Sequence, residues 1–358
     1  MNLENRLNIL MERLPPDIDA ALICSEVNRR YYTGFFSSAG TLLATRTGCW
    51  FIIDARYHEA ARGQIKSCEV VLQDRLYDQI NDILGRQKVR RMALEEDKVS
   101  LSAFAEWKKR LAGIKFVGCD TLSAEIRAQR RRKSEEELRS IAQSQDITDK
   151  TFAHILNYIR QGRTEREIAL EMEFYSRRIG SETVAFDFIV VSGKHSSLPH
   201  GTPSDKPVAE GDFITMDFGS VVDGYCSDMT RTVAVGRVSE RQQEVYATVL
   251  AAQQAALAEI REGVACSKVD AAARNIIDAG PFKGSFGHSL GHSLGLEVHE
   301  NPRFAQSSDA VSCLGDVMSV EPGIYLPGEF GVRIEDIVTV TQTGFHNFTQ
   351  SPKELLIL

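Results

Sequence analysis

Three histidines stand close together in the stretch GHSLGHSLGLEVHE (287–300), at positions His288, His292 and His299. An imidazole can bind a metal ion, carry a proton or hydrogen-bond a substrate. Glycine at every fourth position argues against a continuous helix, so the helical two-histidine arrangement of a zincin is not expected. Any one of these histidines could be a satisfied structural residue. Three within one short loop favour a functional site, although their spacing does not say which one would bind a metal.

Two aspartates in FITMDFGSVVDGYCSDMTRT (213–232) lie on β-like runs joined by a VVDG turn. If Val222-Asp223 forms the loop, Asp217 lies opposite Asp228; if Asp223-Gly224 does, the two become diagonal neighbours on one face. Either register points both carboxylates to the same side, where like charges repel each other unless a cation lies between them. Two solvated aspartates on an exposed hairpin face are the alternative.

Further carboxylates interrupt apolar runs nearer the end of the chain. Glu321 follows an apolar strand in SVEPGIY, and GVRIEDIVTV places Glu335 and Asp336 on opposite faces of a strand expected to be buried. A buried carboxylate needs a partner, and salt bridges to Arg231 or Arg333 could provide one. Gathered in one pocket, Asp217, Asp228, Glu321 and Glu335 would instead need about two divalent ions for neutralisation, and oxygen ligands with one imidazole suit manganese while tolerating cobalt or zinc.

The overall composition is that of an ordinary globular protein, with 43% hydrophobic and 25% charged residues. A net charge of −7 gives no electrostatic reason to expect nucleic acid or an anionic membrane as a partner. The seven cysteines are scattered without a C-x-x-C pair, which suggests reduced thiols. The start lacks the apolar core of a signal peptide, and no later segment reaches membrane-spanning length. We therefore expect a cytoplasmic protein.

Two domains are expected, because 358 residues exceed the size at which one hydrophobic core usually stops growing. The first third opens with leucines at helical spacing, from Leu3 to Leu14, and continues with β-rich runs at 20–24, 41–45 and 49–53. This pattern predicts a small α/β domain.

The charged stretch AQRRRKSEEELRS (128–140) contains Ser134 and Glu137 at the spacing of a helix capping box. We place the boundary just before it, which gives domains 1–125 and 126–358; a surface helix with no boundary role is the alternative.

Strand-like runs dominate the second part of the chain. A second capping box, Thr164 with Glu167, opens a helix that runs to about Arg178, and two more helical stretches follow at about 239–261 and 267–279. Runs of strands beside segregated helices predict an α+β second domain.

The order of these motifs resembles the M24 metallopeptidases of the pita-bread fold, particularly the Xaa-Pro branch of aminopeptidase P and prolidase. The matching motifs are DFG with an aspartate further on in SDMTRT, then GHSLGLEVHE, EPGIY and GVRIED. NRRYYTGF (28–35) and DARYHEAA (54–61) look like the creatinase-type N-terminal domain of that family. The resemblance thus implies a smaller α/β domain ahead of an α+β pita-bread domain.

The resemblance also implies a role for each candidate residue. Asp217 would bind one ion in bidentate fashion, Asp228 and Glu335 would bridge two ions, and His292 and Glu321 would each bind one. Glu321 would also carry the proton from the nucleophile to the leaving nitrogen. Residues bordering the substrate would be His200, His288, His299, Arg303, Tyr325 and Arg333. Of these, His200 and His299 would stabilise charge on the carbonyl oxygen, His288 would contact the substrate, and Arg303 would either pair with a substrate carboxylate or be an ordinary surface arginine.

The implied reaction is hydrolysis of Xaa–Pro bonds in short peptides with two divalent ions, manganese being favoured over cobalt or zinc. Aminopeptidase action is the main expectation, and an Xaa-Pro dipeptidase (prolidase) is the alternative. A methionine aminopeptidase is disfavoured by the preceding domain, and a non-catalytic pita-bread module by the complete ligand set. The resemblance further suggests a homodimer. Ser293 departs from the glycine that more often follows the ligand histidine, which could narrow the substrate cleft.

Overall fold

The structure is a computed structural model that describes residues 5–118 and 120–358. It separates into two compact units, with the division between Arg130 and Arg131. The boundary expected after residue 125 falls inside the same helix, Thr121–Arg131. Leu3, the first of the leucines at helical spacing, and Cys119, one of the seven cysteines, lie outside the described residues. Within the described ranges no helix has both the length and the apolar character needed to cross a membrane.

The described residues of the first unit form six helices and one six-stranded mixed sheet. The elements are α1 (Arg6–Arg13), β1 (Ala20–Ile23), α2 (Glu26–Thr33), β2 (Thr41–Thr45), β3 (Cys49–Ile53), α3 (Ala55–Gln64), β4 (Glu69–Leu72), α4 (Leu76–Arg86), β5 (Arg91–Leu94), α5 (Leu101–Arg110), β6 (Lys115–Val117) and α6 (Thr121–Arg131). The strand order is β4-β3-β2-β1-β5-β6. Strand β2 pairs antiparallel with β1 and β3, and the other three pairs are parallel. Leu22, Leu43 and Ile52 are fully buried in the apolar core of this unit.

The second unit contains one three-stranded and one five-stranded sheet, each covered by a pair of helices. Both predicted capping boxes are present, at Ser134 and at Thr164. The elements of the smaller layer and the hairpin that follows it are α7 (Glu135–Ile155), α8 (Glu165–Arg178), β7 (Ile189–Ser192), β8 (Phe213–Phe218), β9 (Val221–Val222), β10 (Tyr225–Cys226) and β11 (Met229–Ala234). The larger layer and a second hairpin comprise α9 (Glu240–Glu259), α10 (Cys266–Asp278), β12 (Gly291–Ser293), β13 (Glu300–Phe304), β14 (Val317–Val320), β15 (Gly323–Leu326), β16 (Phe330–Arg333), β17 (Asp336–Val340) and β18 (Phe345–Asn347).

Alternation along the strands separates core side chains from site side chains. On β8, Ile214, Met216 and Phe218 enter the core shared with α7 and α8. Because successive side chains of a strand point to opposite faces, Thr215 and Asp217 face the other way. The expected α+β architecture is confirmed, and its helices cover the outer faces while polar side chains collect between the sheets.

Candidate active site

The turn of the 213–232 hairpin selects one of the two registers considered from the sequence. Asp223 and Gly224 both have positive φ, 51° and 81°, as a two-residue type I′ turn requires. Asp217 consequently pairs with Thr230 rather than with Asp228. Asp228 is the diagonal neighbour of Asp217 on the same face, so the two carboxylates share one side of the sheet.

A second pair of carboxylates lies where β14 ends and β17 begins. Val320 pairs with Asp336, so Glu321 and Glu335 occupy the next facing positions, just beyond these two strands. Ser319 and Glu321 lie on one face of the chain, whereas Met318 and Val320 enter the apolar core. Two strand pairs from distant parts of the chain thus each contribute two carboxylates.

His292 lies on β12 with its ring directed at these carboxylates. Its Nε2 is 3.6 Å from Asp228 Oδ2 and 3.4 Å from Glu321 Oε1. Its Nδ1 is 3.1 Å from the Ser293 carbonyl oxygen, to which it donates when neutral, and this leaves the lone pair on Nε2. Burial and then the neighbouring His299 lower the pKa of His292 to about 3. The ring is therefore neutral at physiological pH, in the state that binds a metal ion.

The carboxylates and His292 fit a cation site. Ligand atoms of Asp228, His292 and Glu335, all buried residues, lie within 4.8 Å of one another. Among the described residues, Asp217 Oδ1 and Glu335 Oε1 are buried without a hydrogen-bond donor. Burial and nearby carboxylates raise the pKa values of Asp228 and Glu335 well above their ordinary range, and burial raises that of Glu321 to about 8. Divalent cations would supply both the missing partners and the missing charge.

The two arginines considered as structural partners serve different carboxylates. Arg231 pairs with Asp336 at 2.8 Å, on the face of β17 away from the site. Arg333 pairs with Asp217, with 2.6 Å between Nη2 and Oδ2. The salt-bridge alternative therefore holds for Asp336 and in part for Asp217. It does not hold for Glu335, whose Oε2 instead accepts a hydrogen bond from Thr230 at 2.8 Å.

Arg333 also contacts three groups besides Asp217. It donates to Thr230 Oγ1 at 2.9 Å, to the Pro199 carbonyl at 3.2 Å and to the Tyr325 hydroxyl at 2.8 Å. Tyr325 in turn contacts His288 Nε2 at 2.9 Å, while His288 Nδ1 contacts the Ser289 carbonyl oxygen. Burial and then the positive Arg333 lower the pKa of His288 to about 4. Both ring nitrogens of the neutral His288 are thus engaged within the protein.

Three predicted site residues remain open at the mouth of the site. His200, His299 and Arg303 are all exposed. Arg303 pairs across the strands with His292, and the ring centroids of His292 and His299 are 4.4 Å apart. Burial, Arg303 and His200 lower the pKa of His299, against an opposing effect of Asp217. These three side chains are free to meet a substrate, in contrast to His288.

Two supporting residues were not predicted from the sequence. Thr230 links Glu335 to Arg333 through its hydroxyl. Ser319 Oγ accepts a hydrogen bond from the His292 backbone at 3.0 Å and contacts Glu321 Oε1 at 3.2 Å. Their positions two residues from Asp228 and Glu321, on the same strand faces, were the available signal. A hydroxyl in those places orients the carboxylates.

Known proteins share both parts of this chain. The metallopeptidase family M24 matches residues 139–342, and the Creatinase/Prolidase N-terminal domain matches residues 5–129. An Xaa-Pro dipeptidase of Pyrococcus horikoshii is 36% identical over 95% of each chain. A solved Xaa-Pro dipeptidase from Bacillus anthracis is 38% identical with a TM-score of 0.96 over all of both chains. An X-Pro aminopeptidase from Thermotoga maritima is 37% identical with a TM-score of 0.92, over 99% of this chain and 100% of that one.

These matches agree with the motif resemblance in both halves of the chain. The family match spans 139–342, which contains all five predicted metal ligands. This protein belongs to metallopeptidase family M24 and carries a Creatinase/Prolidase N-terminal domain ahead of its catalytic domain.

Proposed function

We propose that this protein hydrolyses the Xaa–Pro bond of short peptides and that dipeptides are its preferred substrates. The main observation that supports this proposal is the buried group of carboxylates around the neutral His292. Dipeptidases among the similar proteins support the dipeptidase alternative better than the main expectation of an aminopeptidase. The similar Thermotoga maritima aminopeptidase keeps Xaa-Pro aminopeptidase as the second candidate.

The proposed metal ligands are the five residues predicted from the sequence: Asp217, Asp228, His292, Glu321 and Glu335. Two divalent ions held there would supply an activated water and polarise the scissile carbonyl. Glu321 accepts the proton of the nucleophile on its carboxylate and passes it to the leaving nitrogen. The contact from Ser319 Oγ to Glu321 Oε1 holds that carboxylate in place.

The open histidines have a separate task in this mechanism. His200 and His299 donate to the carbonyl oxygen as negative charge develops on it. His288 has both nitrogens engaged, so it supports the substrate pocket through Tyr325 rather than donating to the reacting atoms. The bond before proline lacks an N–H, so we expect the proline ring to be recognised by its shape.

Arg303 supports the preference for dipeptides. Its guanidinium is exposed and has no hydrogen-bond or ion-pair partner in the described parts of the chain, and it lies opposite His292 across the β12–β13 pair. The free carboxylate of a dipeptide follows directly after proline, within reach of a positive group at the mouth. A longer peptide has an uncharged amide there and would gain no such ion pair.

Hydrolysis of Ala-Pro and Ala-Pro-Ala by the metal-loaded protein tests this proposal. We expect a higher kcat/KM for Ala-Pro. We also expect Arg303→Ala to raise KM for Ala-Pro by at least about tenfold, since a charged hydrogen bond is worth about 1.5–3 kcal/mol. Arg261→Ala, at an exposed arginine between α9 and α10 outside the predicted site, serves as control. A higher kcat/KM for Ala-Pro-Ala would favour the aminopeptidase, and no cleavage of either peptide would refute the proposed function.

The finer proposals concern the metal, the assembly and the location. We propose manganese as the metal, because oxygen donors with one imidazole suit it. Restoring activity to chelator-treated protein with manganese, cobalt or zinc would rank the three ions. We also propose a homodimer, which size-exclusion chromatography with light scattering would test, and a cytoplasmic location, supported by the scattered cysteines.

A further inference from the structure

Glu165, the first residue of α8, is a fully buried carboxylate outside the proposed ligand set. It accepts five hydrogen bonds, all from residues 192–204, called here the His200 segment. Oε1 accepts from the Ser192 amide at 2.7 Å and from its hydroxyl at 2.9 Å. Oε2 accepts from His195 Nδ1 at 3.0 Å and from the Ser204 amide and hydroxyl at 3.1 and 2.7 Å. One carboxylate therefore ties together both ends of the segment.

The start of α8 strengthens this connection. The Glu165 amide donates to the Lys206 carbonyl at 3.1 Å, and the Arg166 amide donates to the Ser204 carbonyl at 3.0 Å. Burial would raise the pKa of Glu165, but the hydrogen bonds from Ser204, His195 and Ser192 hold that pKa below its ordinary value. The carboxylate is ionised at neutral pH and acts as an acceptor only.

The opposite side of the His200 segment rests on β16. Ser196 Oγ accepts from the Gly331 amide at 2.9 Å, and a Cβ on Gly331 would lie 2.2 Å from the Ser196 carbonyl oxygen. The Pro199 carbonyl accepts from Arg333 at 3.2 Å. The segment is thus held between Glu165 on one side and the strand that carries Arg333 on the other.

His200 has no anchor of its own. Its ring is exposed, and no described residue forms a hydrogen bond with it. The backbone of the His200 segment therefore decides where the ring lies. A displacement of about 1 Å at a reacting group can reduce a rate by about 100-fold, so the support of this segment matters for catalysis.

We propose that Glu165 is a positioning residue that fixes the His200 segment and so places His200 at the substrate. This inference rests on the proposed function for the role of His200. A buried carboxylate with a purely structural role would affect folding alone. A positioning role predicts instead that substitution of Glu165 changes turnover through His200.

A double-mutant cycle with Glu165→Gln and His200→Ala tests the proposal on the metal-loaded protein. Glutamine keeps the size of the side chain but presents an N–H₂ group to the donors of Ser204 or Ser192. We expect Glu165→Gln alone to lower kcat/KM for Ala-Pro by about 100-fold. In the His200→Ala background the same change should cost no more than about twofold, because the position of the segment no longer acts through His200 and twofold is about the error to which such effects add. An equal loss in both backgrounds would overturn the proposal.

Glu167→Gln is the matched control, since Glu167 lies in the same helical turn but closes the capping box with Thr164. It should leave kcat/KM within about twofold of the wild type. Ser204→Ala removes only one of the five hydrogen bonds, and it provides a milder variant should Glu165→Gln fold poorly. Its smaller loss should also vanish in the His200→Ala background, and a loss that persists there would count against the proposal.

Hydrogen exchange of the metal-free protein provides a readout without turnover. Peptides covering 192–204 should exchange faster in Glu165→Gln than in the wild type, while peptides of β14 and β17 should not change. Unchanged exchange in 192–204 would refute the positioning role. If the wild type cleaves no Xaa–Pro peptide, the proposed function fails, whereas the fixing of the segment by Glu165 is still decided by exchange.

Discussion

Arg333 Nη2 lies 2.6 Å from Asp217 Oδ2, so the protein places one of its own positive charges among the buried carboxylates of the site. Arg333 is itself almost fully buried, and the same guanidinium contacts Thr230, Tyr325 and the Pro199 carbonyl. One arginine cannot neutralise four carboxylates. The buried carboxylates therefore favour additional cations, and Arg333 joins Asp217 to Tyr325 and the Pro199 carbonyl.

Arg333→Lys should lower kcat/KM by about 100-fold, although the charge is kept. A lysine ammonium cannot reproduce the planar fork that reaches four acceptors on different sides. Steady-state kinetics with Ala-Pro measures the effect. The control is Arg241→Lys, since Arg241 forms an exposed ion pair with Glu329. Activity of Arg333→Lys close to that of the wild type would show that charge alone suffices.

Glu321→Ala should lower kcat by at least about 100-fold while the protein stays folded, because proton transfer by a positioned group contributes about 10²–10⁴-fold. Activity assays with circular dichroism measure both properties. Glu329→Ala, at an exposed glutamate, is the matched control. Full activity of Glu321→Ala would exclude Glu321 from the proton transfer.

The doubled GHSL motif offers a matched pair of glycine substitutions. A Cβ on Gly291 would lie 2.0 Å from the Ser319 carbonyl oxygen, whereas a Cβ on Gly287 meets nothing within 4 Å. Gly291→Ala should therefore push β12 away from β14 and displace His292. We expect loss of activity and of metal-induced thermal stabilisation in Gly291→Ala but not in Gly287→Ala, and thermal melting with and without manganese checks this. Similar behaviour of the two variants would contradict the close packing of β12 on β14.

Asp228→Asn should abolish most of the stabilisation that manganese gives to the wild type. A ligand at about 100 times its Kd stabilises a protein by about 2.7 kcal/mol, and removal of one buried ligand lowers that affinity. The metal-free variant should melt no lower than the metal-free wild type, because one carboxylate of a mutually repelling group is lost. Thermal melting with chelator and with manganese measures both effects.

Asp223→Asn is the control for this change within the same hairpin. Asn tolerates the positive φ of that turn position, and its side-chain oxygen can still accept from Ser140. Manganese should stabilise Asp223→Asn as much as the wild type. Retained stabilisation in Asp228→Asn would remove Asp228 from the ligand set.

The stability of the protein should depend on pH through His288. Burial and the positive Arg333 lower its pKa to about 4 in the folded protein, whereas an unfolded histidine titrates near 6.5. Between these values the unfolded chain binds more protons, so folding stability falls as the pH is lowered, by at most about 1.4 kcal/mol per pH unit from this group. Above about pH 6.5 both states are neutral and the contribution of His288 no longer changes.

His288→Gln should reduce this loss, because glutamine does not titrate and its oxygen can accept from the Tyr325 hydroxyl. Urea unfolding at about pH 7 and about pH 5 in chelator compares the two proteins. An equal loss of stability in the wild type and in His288→Gln would show that the pKa of His288 is not lowered by folding.

Much of this site was predictable from local sequence. Alternation along a strand put Asp217 and Asp228 on one face in either register, and the Asp223-Gly224 pair, the better turn former, is the loop that forms. The capping boxes at Ser134 and Thr164 began helices as predicted. Strand alternation, the turn and the capping boxes each depend on residues a few positions apart, so a short stretch of sequence is enough to predict them.

The sequence by itself predicted the candidate metal ligands, and alternation determined that Asp217 and Asp228 would share one strand face. Only the tertiary structure decided that Arg231 pairs with Asp336 while Arg333 pairs with Asp217, and that His292 faces the carboxylates while His288 is engaged by Tyr325. These partnerships join strands separated by many residues and depend on side-chain rotation after the sheets pack. Local periodicity determines the strand face on which a side chain lies. The packing of distant strands determines which other side chain it contacts.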